Sequence, residues 1–219
     1  MRALVVAAGE PPGRADLDRA WPGWAADLGV VIAADGGAIT AERLGLRPDL
    51  VVGDLDSIEP AEVDRLRASG IPVEVAPTAK DESDTELAVR AALARGATTL
   101  TIVGALGGRV DHLLANLALL ALPELDGIET LILDGRTRIS LVRGPGSRPL
   151  IGRVGDLVTL LPFGAGVEGV RTEGLAWALR DEALPAGPAR GLSNVRTAER
   201  ARVQVRSGDL VVVETIGEV

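Results

Sequence analysis

Leu50-Val51-Val52-Gly53-Asp54-Leu55-Asp56-Ser57 is the stretch on which the reading of this chain turns. A short apolar run gives way to a glycine and then to two carboxylates one residue apart. Buried parallel strands end this way, at the edge where open α/β sheets keep their chemistry. If the backbone stays extended past Gly53, Asp54 and Asp56 point to one side and Leu55 turns away. Carboxylates held that close repel unless a cation sits between them, and a hard divalent ion such as Mg²⁺ suits oxygen donors. Asp-Ser is also ordinary turn chemistry, and Ser57 or Asp56 would serve as the cap of a helix beginning near Pro60.

The same pattern of apolar run and polar or glycine turn recurs on both sides. Leu4-Val5-Val6-Ala7-Ala8-Gly9, followed by Glu10-Pro11-Pro12, and Val30-Val31-Ile32-Ala33-Ala34, followed by Asp35-Gly36-Gly37, read as buried strands, as do residues 73–75, 100–103 and 130–133. Between them, residues 16–28, 38–46 and 60–69 read as helices, the second stopped by Arg47-Pro48 and the third by Gly70. Lys80-Asp81-Glu82-Ser83-Asp84-Thr85-Glu86 opens a further helix over 87–95. Asp81 and Asp84, three apart, share a face if both are helical, in the turn where the helix dipole favours negative charge. Alternatively Asp81 is the N-cap and Asp84 belongs to a capping box.

Gly104-Ala105-Leu106-Gly107-Gly108-Arg109-Val110-Asp111-His112 joins the strand at 100–103 to a helix over 113–122. Glycines in that position let backbone N–H groups close on an anion, and Arg109 adds a bidentate phosphate contact. The spacing is neither GxGxxG nor a P-loop. His112, the sole histidine, reads as a hydrogen-bonded structural residue, and Asp111 ranks ahead of it as a chemical group.

From about Asp134 the texture changes to short β-like runs (137–142, 156–161, 201–205, 210–213) separated by clusters such as Gly144-Pro145-Gly146 and Pro162-Phe163-Gly164. The expectation is an α/β domain over 1–135, with an open, mostly parallel Rossmann-like sheet and helices, and a smaller all-β sandwich over 136–219. Trp177, the only tryptophan of the second half, is either a core plug or a stacking platform for a planar or cationic ring.

Composition narrows the classes. Among 219 residues, 47% are hydrophobic and 2% aromatic, enough for a core built from Ala, Val, Leu and Ile. Basic residues number 23 against 31 acidic, a net charge of −8, which disfavours a protein that tracks nucleic-acid phosphates and suits a metal or a cationic substrate. Without cysteine there is no disulfide or thiolate chemistry. The apolar run at 3–8 is too short for a signal sequence and no run reaches membrane-spanning length, so a soluble, cytoplasmic protein is expected.

Taken together, Ala34-Asp35-Gly36-Gly37-Ala38, Gly53-Asp54-Leu55-Asp56-Ser57-Ile58, Lys80-Asp81-Glu82-Ser83-Asp84, Gly107-Gly108-Arg109-Val110-Asp111-His112, Gly174-Leu175-Ala176-Trp177 and Ser193-Asn194 resemble, in order, the motifs of the thiamine pyrophosphokinase family. Leu55 and Ser83 stand where that family usually has Phe and Thr. The resemblance implies transfer of pyrophosphate from ATP to the thiamine hydroxyl with release of AMP, Mg²⁺ as cofactor, and a homodimer whose thiamine pocket is shared between subunits. It implies Asp54, Asp56 and Asp84 as metal ligands, with Asp81 and Asp111 completing the catalytic set. Asp35, Gly36, Gly37, Lys80, Arg109, His112 and Asn116 would face the nucleotide, and Trp177, Ser193 and Asn194 the thiamine. A relative acting on another alcohol, such as a hydroxymethylpterin, and a Mg²⁺–nucleotide sensor without turnover are the competing readings.

Overall fold

The computed structural model describes residues 1–10 and 12–217; Pro11, part of the turn expected after the first strand, lies outside them. The chain is mixed α/β and divides into two compact units, Met1–Gly135 and Arg136–Val219. No helix among the described residues is long and apolar enough to cross a membrane.

The first unit alternates strand and helix. Its strands are β1 (Arg2–Val6), β2 (Val30–Ala34), β3 (Leu50–Gly53), β4 (Val73–Val75), β5 (Thr99–Val103) and β6 (Glu129–Asp134), and its helices α1 (Arg14–Ala20), α2 (Gly37–Arg43), α3 (Pro60–Ala68), α4 (Asp84–Ala94) and α5 (Val110–Leu119). The strands pair in parallel in the order β4-β3-β2-β1-β5-β6. All of β2 and β3 and most of β1 and β5 are buried, as expected of strands covered on both faces. Because the chain steps from β1 to β2 on one side and later returns to β5 on the other, the order reverses at the β1/β5 seam, and a crevice opens beyond the carboxyl ends there. Gly9 donates to the Gly104 carbonyl across this seam, and an added Cβ on Gly9 would stand 2.5 Å from that oxygen.

Several boundaries depart from the sequence reading. Helix α1 stops at Trp21, well before residue 28, because Trp21 and Trp24 turn into the core. The Trp21 indole donates to the Gly135 carbonyl at 2.9 Å, and the Trp24 indole to Asp18 at 2.8 Å with the Arg14 guanidinium 5.3 Å from its ring centroid. Helix α4 begins at Asp84 with Ser83 as its N-cap, the Ser83 hydroxyl accepting from the Glu86 N–H. Asp81 therefore neither caps α4 nor shares a helical face with Asp84.

The second unit is built from strands: β7 (Thr137–Arg143), β8 (Gly146–Leu150), β9 (Leu157–Glu173), β10 (Arg180–Pro185), β11 (Asn194–Val195), β12 (Ala201–Val205) and β13 (Ser207–Thr215). Strand β9 continues unbroken through Pro162-Phe163-Gly164, a cluster that reads in the sequence as a separator. It pairs first with β13 and β11, then with β12 and β10, and the bend between is made at Gly164 and Gly169, at φ of 81° and 67°, where glycine has no steric penalty. An apolar cluster including Val158, Leu160, Val170, Val203 and Leu210 fills this unit. A buried ion pair, Arg138 Nε to Glu214 Oε2 at 2.8 Å, ties β7 to β13.

Candidate active site

A cleft of about 890 Å³ lies beyond the carboxyl ends of the first unit's strands. Its walls come from the turns after β1 (Ala7 to Glu10), β2 (Asp35), β3 (Asp54, Asp56 and Ser57) and β5 (Ala105 and Gly107 to Arg109), and from the starts of α4 and α5.

The turn after β3 is not extended. Leu55 adopts φ 64°, uncommon for a residue with a Cβ, and its side chain packs against the apolar cluster of Ala33, Val51, Ile58 and Val63. The Asp56 N–H donates to Asp54 Oδ1 at 3.3 Å, an Asx turn. Asp54 and Asp56 both line the cleft, but through this turn and not through strand alternation. Nor does either Asp56 or Ser57 cap α3, whose N-cap is Glu59. Ser57 instead donates to Asp35 Oδ2 at 2.7 Å and accepts from the Gly36 N–H at 3.2 Å.

Asp35, Asp54 and Asp84 each offer an oxygen within 4.8 Å of the others, the one such group of three found among the described residues. They come from the ends of β2 and β3 and the first turn of α4. Gly53 makes the convergence sterically feasible: an added Cβ would stand 3.0 Å from Asp35 Cβ and 3.2 Å from Asp84 Cγ. Asp35 is 4% exposed, and its Oδ1, like Asp84 Oδ1, is buried without a directed hydrogen bond. Burial pushes the Asp35 carboxyl above its ordinary range, Asp84 and Asp56 add to this, and the Ser57 bond works against it. A buried Asp35 oxygen without a donor, beside two further carboxylates whose charge is met here only by the Lys80 ammonium, is what a hard cation satisfies.

Lys80 supplies positive charge here. Its Nζ lies 3.3 Å from Asp54 Oδ2 and 3.1 Å from Asp84 Oδ1, with the side chain 11% exposed. Burial disfavours its ammonium, but the bonds and attraction to Asp84 and Asp54 outweigh that and raise its pKa. The Asp56 N–H, with Lys80 assisting, keeps Asp54 below the usual carboxylate range.

The opposite wall is the glycine turn into α5, with Gly107 and Gly108 both left-handed at φ 82° and 65°. Asn116, buried, donates to the Ala105 carbonyl at 2.8 Å and so pins this turn from inside the helix. Arg109 grips Asp111 through Nε at 3.1 Å and Nη2 at 2.6 Å, which holds the Asp111 pKa down at about 2. A carboxylate held that low is a weak base that stays ionised, so it can accept hydrogen bonds but not donate them. His112 is exposed at the same rim.

Asp81 is exposed and lies outside the cleft lining. Gly36 and Gly37 are also absent from it; a Cβ on Gly37 would meet the Val6 carbonyl at 2.0 Å, so that glycine lets α2 pack on β1. Glu10, Ser57, Ser83 and Thr85 line the cleft without having been singled out as site residues. The sequence offers a signal only for Ser57 and Ser83, through their places beside the acidic motifs.

Trp177, Ser193 and Asn194 belong to the second unit. Trp177 is 63% exposed, which removes the core-plug reading. Asn194, buried, is not presented to solvent: Oδ1 accepts from the Trp177 and Val195 N–H groups and Nδ2 donates to the Trp177 carbonyl. Ser193, at φ 56°, donates its N–H to Thr159 Oγ1.

Residues 24–132 match the family described as "Thiamin pyrophosphokinase, catalytic domain", and residues 148–210 match "Thiamin pyrophosphokinase, vitamin B1 binding domain". A thiamine pyrophosphokinase from Bacillus subtilis is 24% identical over 216 residues, covering 98% of this chain and 99% of that one. The crystal structure of the Bacillus subtilis thiamine pyrophosphokinase superposes with a TM-score of 0.86 at 25% identity over the full length of both chains. That of a thiamin pyrophosphokinase family protein from Enterococcus faecalis gives 0.82 at 27% identity, also over both full chains.

Proposed function

The chain belongs to the thiamin pyrophosphokinase family, and from that premise we propose how its residues form thiamine diphosphate from thiamine and ATP. The hydroxyl of thiamine attacks the β-phosphorus, the bond from that phosphorus to the α–β bridging oxygen breaks, AMP leaves, and the hydroxyl proton is lost to an acceptor. The observation that carries the assignment to this cleft is the convergence of Asp35, Asp54 and Asp84 beyond the strand ends, inside the stretch that matches the catalytic domain.

A divalent ion, Mg²⁺ by the chemistry of the oxygen donors, fits Asp54 and Asp84 with Asp35 behind them, and Asp56 stands beside them in the same cleft. When bound it supplies neutralisation of the triphosphate charge. Asp35 thus joins Asp54, Asp56 and Asp84 in the proposed ligand set, and Asp81 acts from outside it. The glycine turn and the start of α5 offer backbone N–H groups to phosphate, with Arg109 and Lys80 as side-chain partners and His112 and Asn116 framing the same wall. Asp111, held near pKa 2, orients the hydroxyl by accepting from it.

The finer architecture is part of the same reading: a Rossmann-like nucleotide half over 1–135 and a β-sandwich over 136–219 that binds thiamine. Trp177 offers its exposed ring to the cationic, aromatic substrate, with Ser193 and Asn194 shaping that loop. A homodimer in which Trp177 of one chain completes the acidic cleft of the other accounts for an exposed indole accompanied by exposed Leu192 and Leu161. The enzyme would work in the cytoplasm, where ATP is abundant. Acceptor identity is tested by supplying thiamine and a hydroxymethylpterin separately with Mg·ATP: thiamine alone should drive nucleotide consumption. Consumption with the pterin alone would transfer the site to another alcohol, and tight ATP binding without turnover would make the protein a sensor.

A further inference from the structure

Lys80 is the sole lysine of the chain; apart from His112, every other basic residue is an arginine. Where this protein forms ordinary surface ion pairs it uses the guanidinium fork, as Arg65 does with Glu42 and Glu62 and Arg90 with Glu86 and Glu124. At the acidic cluster it uses instead a compact ammonium on a flexible stem, the one side chain that resembles a small metal ion in size and charge and can withdraw along its own length. The Lys80 Nζ bridges Asp54 and Asp84, two of the three carboxylates that converge there, and leaves Asp35 Oδ1 without a donor.

We propose that Lys80 is the resident counter-ion of the nucleotide-free cleft, holding Asp54 and Asp84 together and keeping free divalent metal out until a triphosphate draws the ammonium away. The inference rests on the metal-site reading above. An ammonium and a divalent cation cannot share two carboxylates without strong repulsion, so whichever arrives alone excludes the other. A triphosphate changes the balance, because it offers the ammonium oxygens of its own and brings a metal with it. Metal and nucleotide then bind with positive coupling, and the coupling passes through one side chain. Such an arrangement keeps the carboxylates assembled in the empty enzyme and prevents a bare metal from occupying the cleft unproductively.

The test is direct binding and needs no turnover. Free Mn²⁺ is titrated into nucleotide-free protein and followed by electron paramagnetic resonance, and a non-hydrolysable ATP analogue is titrated calorimetrically in the presence of a chelator. Lys80→Met should bind Mn²⁺ about tenfold more tightly than wild type, within the usual range of such couplings, and should bind the metal-free analogue more weakly. Lys80→Arg, which keeps the charge, should show no gain in Mn²⁺ affinity. Mere damage to the cleft weakens both ligands, so opposite signs are the signature. Combining Lys80→Met with Asp84→Asn, which restores the local charge balance, should abolish the gain and serves as the check if Lys80→Met alone folds poorly. Equal or weaker Mn²⁺ binding by Lys80→Met, with wild type binding measurably, overturns the role of Lys80 and leaves the metal site standing. Absence of Mn²⁺ binding in wild type and every variant, with and without the analogue, overturns the metal site and this inference with it.

Discussion

Asn194 clasps the backbone of Trp177 from both sides, its Oδ1 accepting from the Trp177 N–H at 3.0 Å and its Nδ2 donating to the Trp177 carbonyl at 2.8 Å. A buried amide thereby fixes the loop that holds out an exposed indole. Asn194→Leu leaves the Trp177 N–H and carbonyl without partners and should cost about 1–3 kcal/mol of stability. The same change should raise KM for thiamine severalfold with a smaller effect on kcat, as should Trp177→Ala without the stability loss. Steady-state kinetics beside denaturant unfolding separate the two. Unchanged KM in both variants would place thiamine elsewhere.

Among the carboxylates, the geometry ranks Asp35 with Asp54 and Asp84, since its buried oxygen lacks a donor. Asp35→Asn, Asp54→Asn and Asp84→Asn should each lose about two or more orders of magnitude in kcat, because each takes a carboxylate charge away from the proposed metal site. Asp56→Asn should also lose turnover while remaining folded, and no more than Asp35→Asn. Wild-type turnover in Asp35→Asn would show that the buried carboxylate is structural.

Gly53 is the space into which Asp35 and Asp84 converge. Gly53→Ala should weaken Mn²⁺ binding and cost about 1 kcal/mol or more of stability, since the added methyl must push apart side chains that cannot both yield. Calorimetric Mn²⁺ titration beside thermal unfolding checks both. An alanine variant with unaltered metal affinity would mean the carboxylates need not meet.

Asp111 gives a pH prediction. Arg109 lowers its folded pKa to about 2 from 3.8, so its contribution is fully present above the unfolded value and is lost only as pH falls through about 2. Asp111 therefore stays ionised throughout the working range, and the acid limb of a pH–rate profile must arise from another group. Asp111→Asn should lower kcat without moving that limb. A shift of the acid limb in the variant would return Asp111 to the role of general base.

Much of the first unit was legible because its strands are buried on both faces, so apolar runs such as Leu50-Val51-Val52 announce themselves without periodicity. The left-handed Leu55 was not legible: only the apolar cluster beneath β3 explains why a leucine there tolerates φ 64°. The place of Asp35 among the carboxylates depends on β2 lying beside β3 and on the missing side chain of Gly53, and neither is a local property of Asp35-Gly36-Gly37. The sequence makes helix α1 too long because alanines around Trp24 look helical, whereas the two tryptophans bury their rings and bond to the Gly135 carbonyl and to exposed Asp18. In the second unit, Pro162-Phe163-Gly164 carries the composition of a turn yet sits within β9, where β13 supplies pairing on one side. Tertiary partners, absent from any local window, decided each of these points.

The most direct test of the whole account is the identity of the products. Purified protein incubated with Mg·ATP and thiamine, then resolved by chromatography, should give thiamine diphosphate and AMP in equal amounts, with both formed about a hundredfold or more slowly by Asp84→Asn. ADP with thiamine monophosphate would mean attack at the γ-phosphorus, and full activity in Asp84→Asn would remove the chemistry from this cleft; either result contradicts the account.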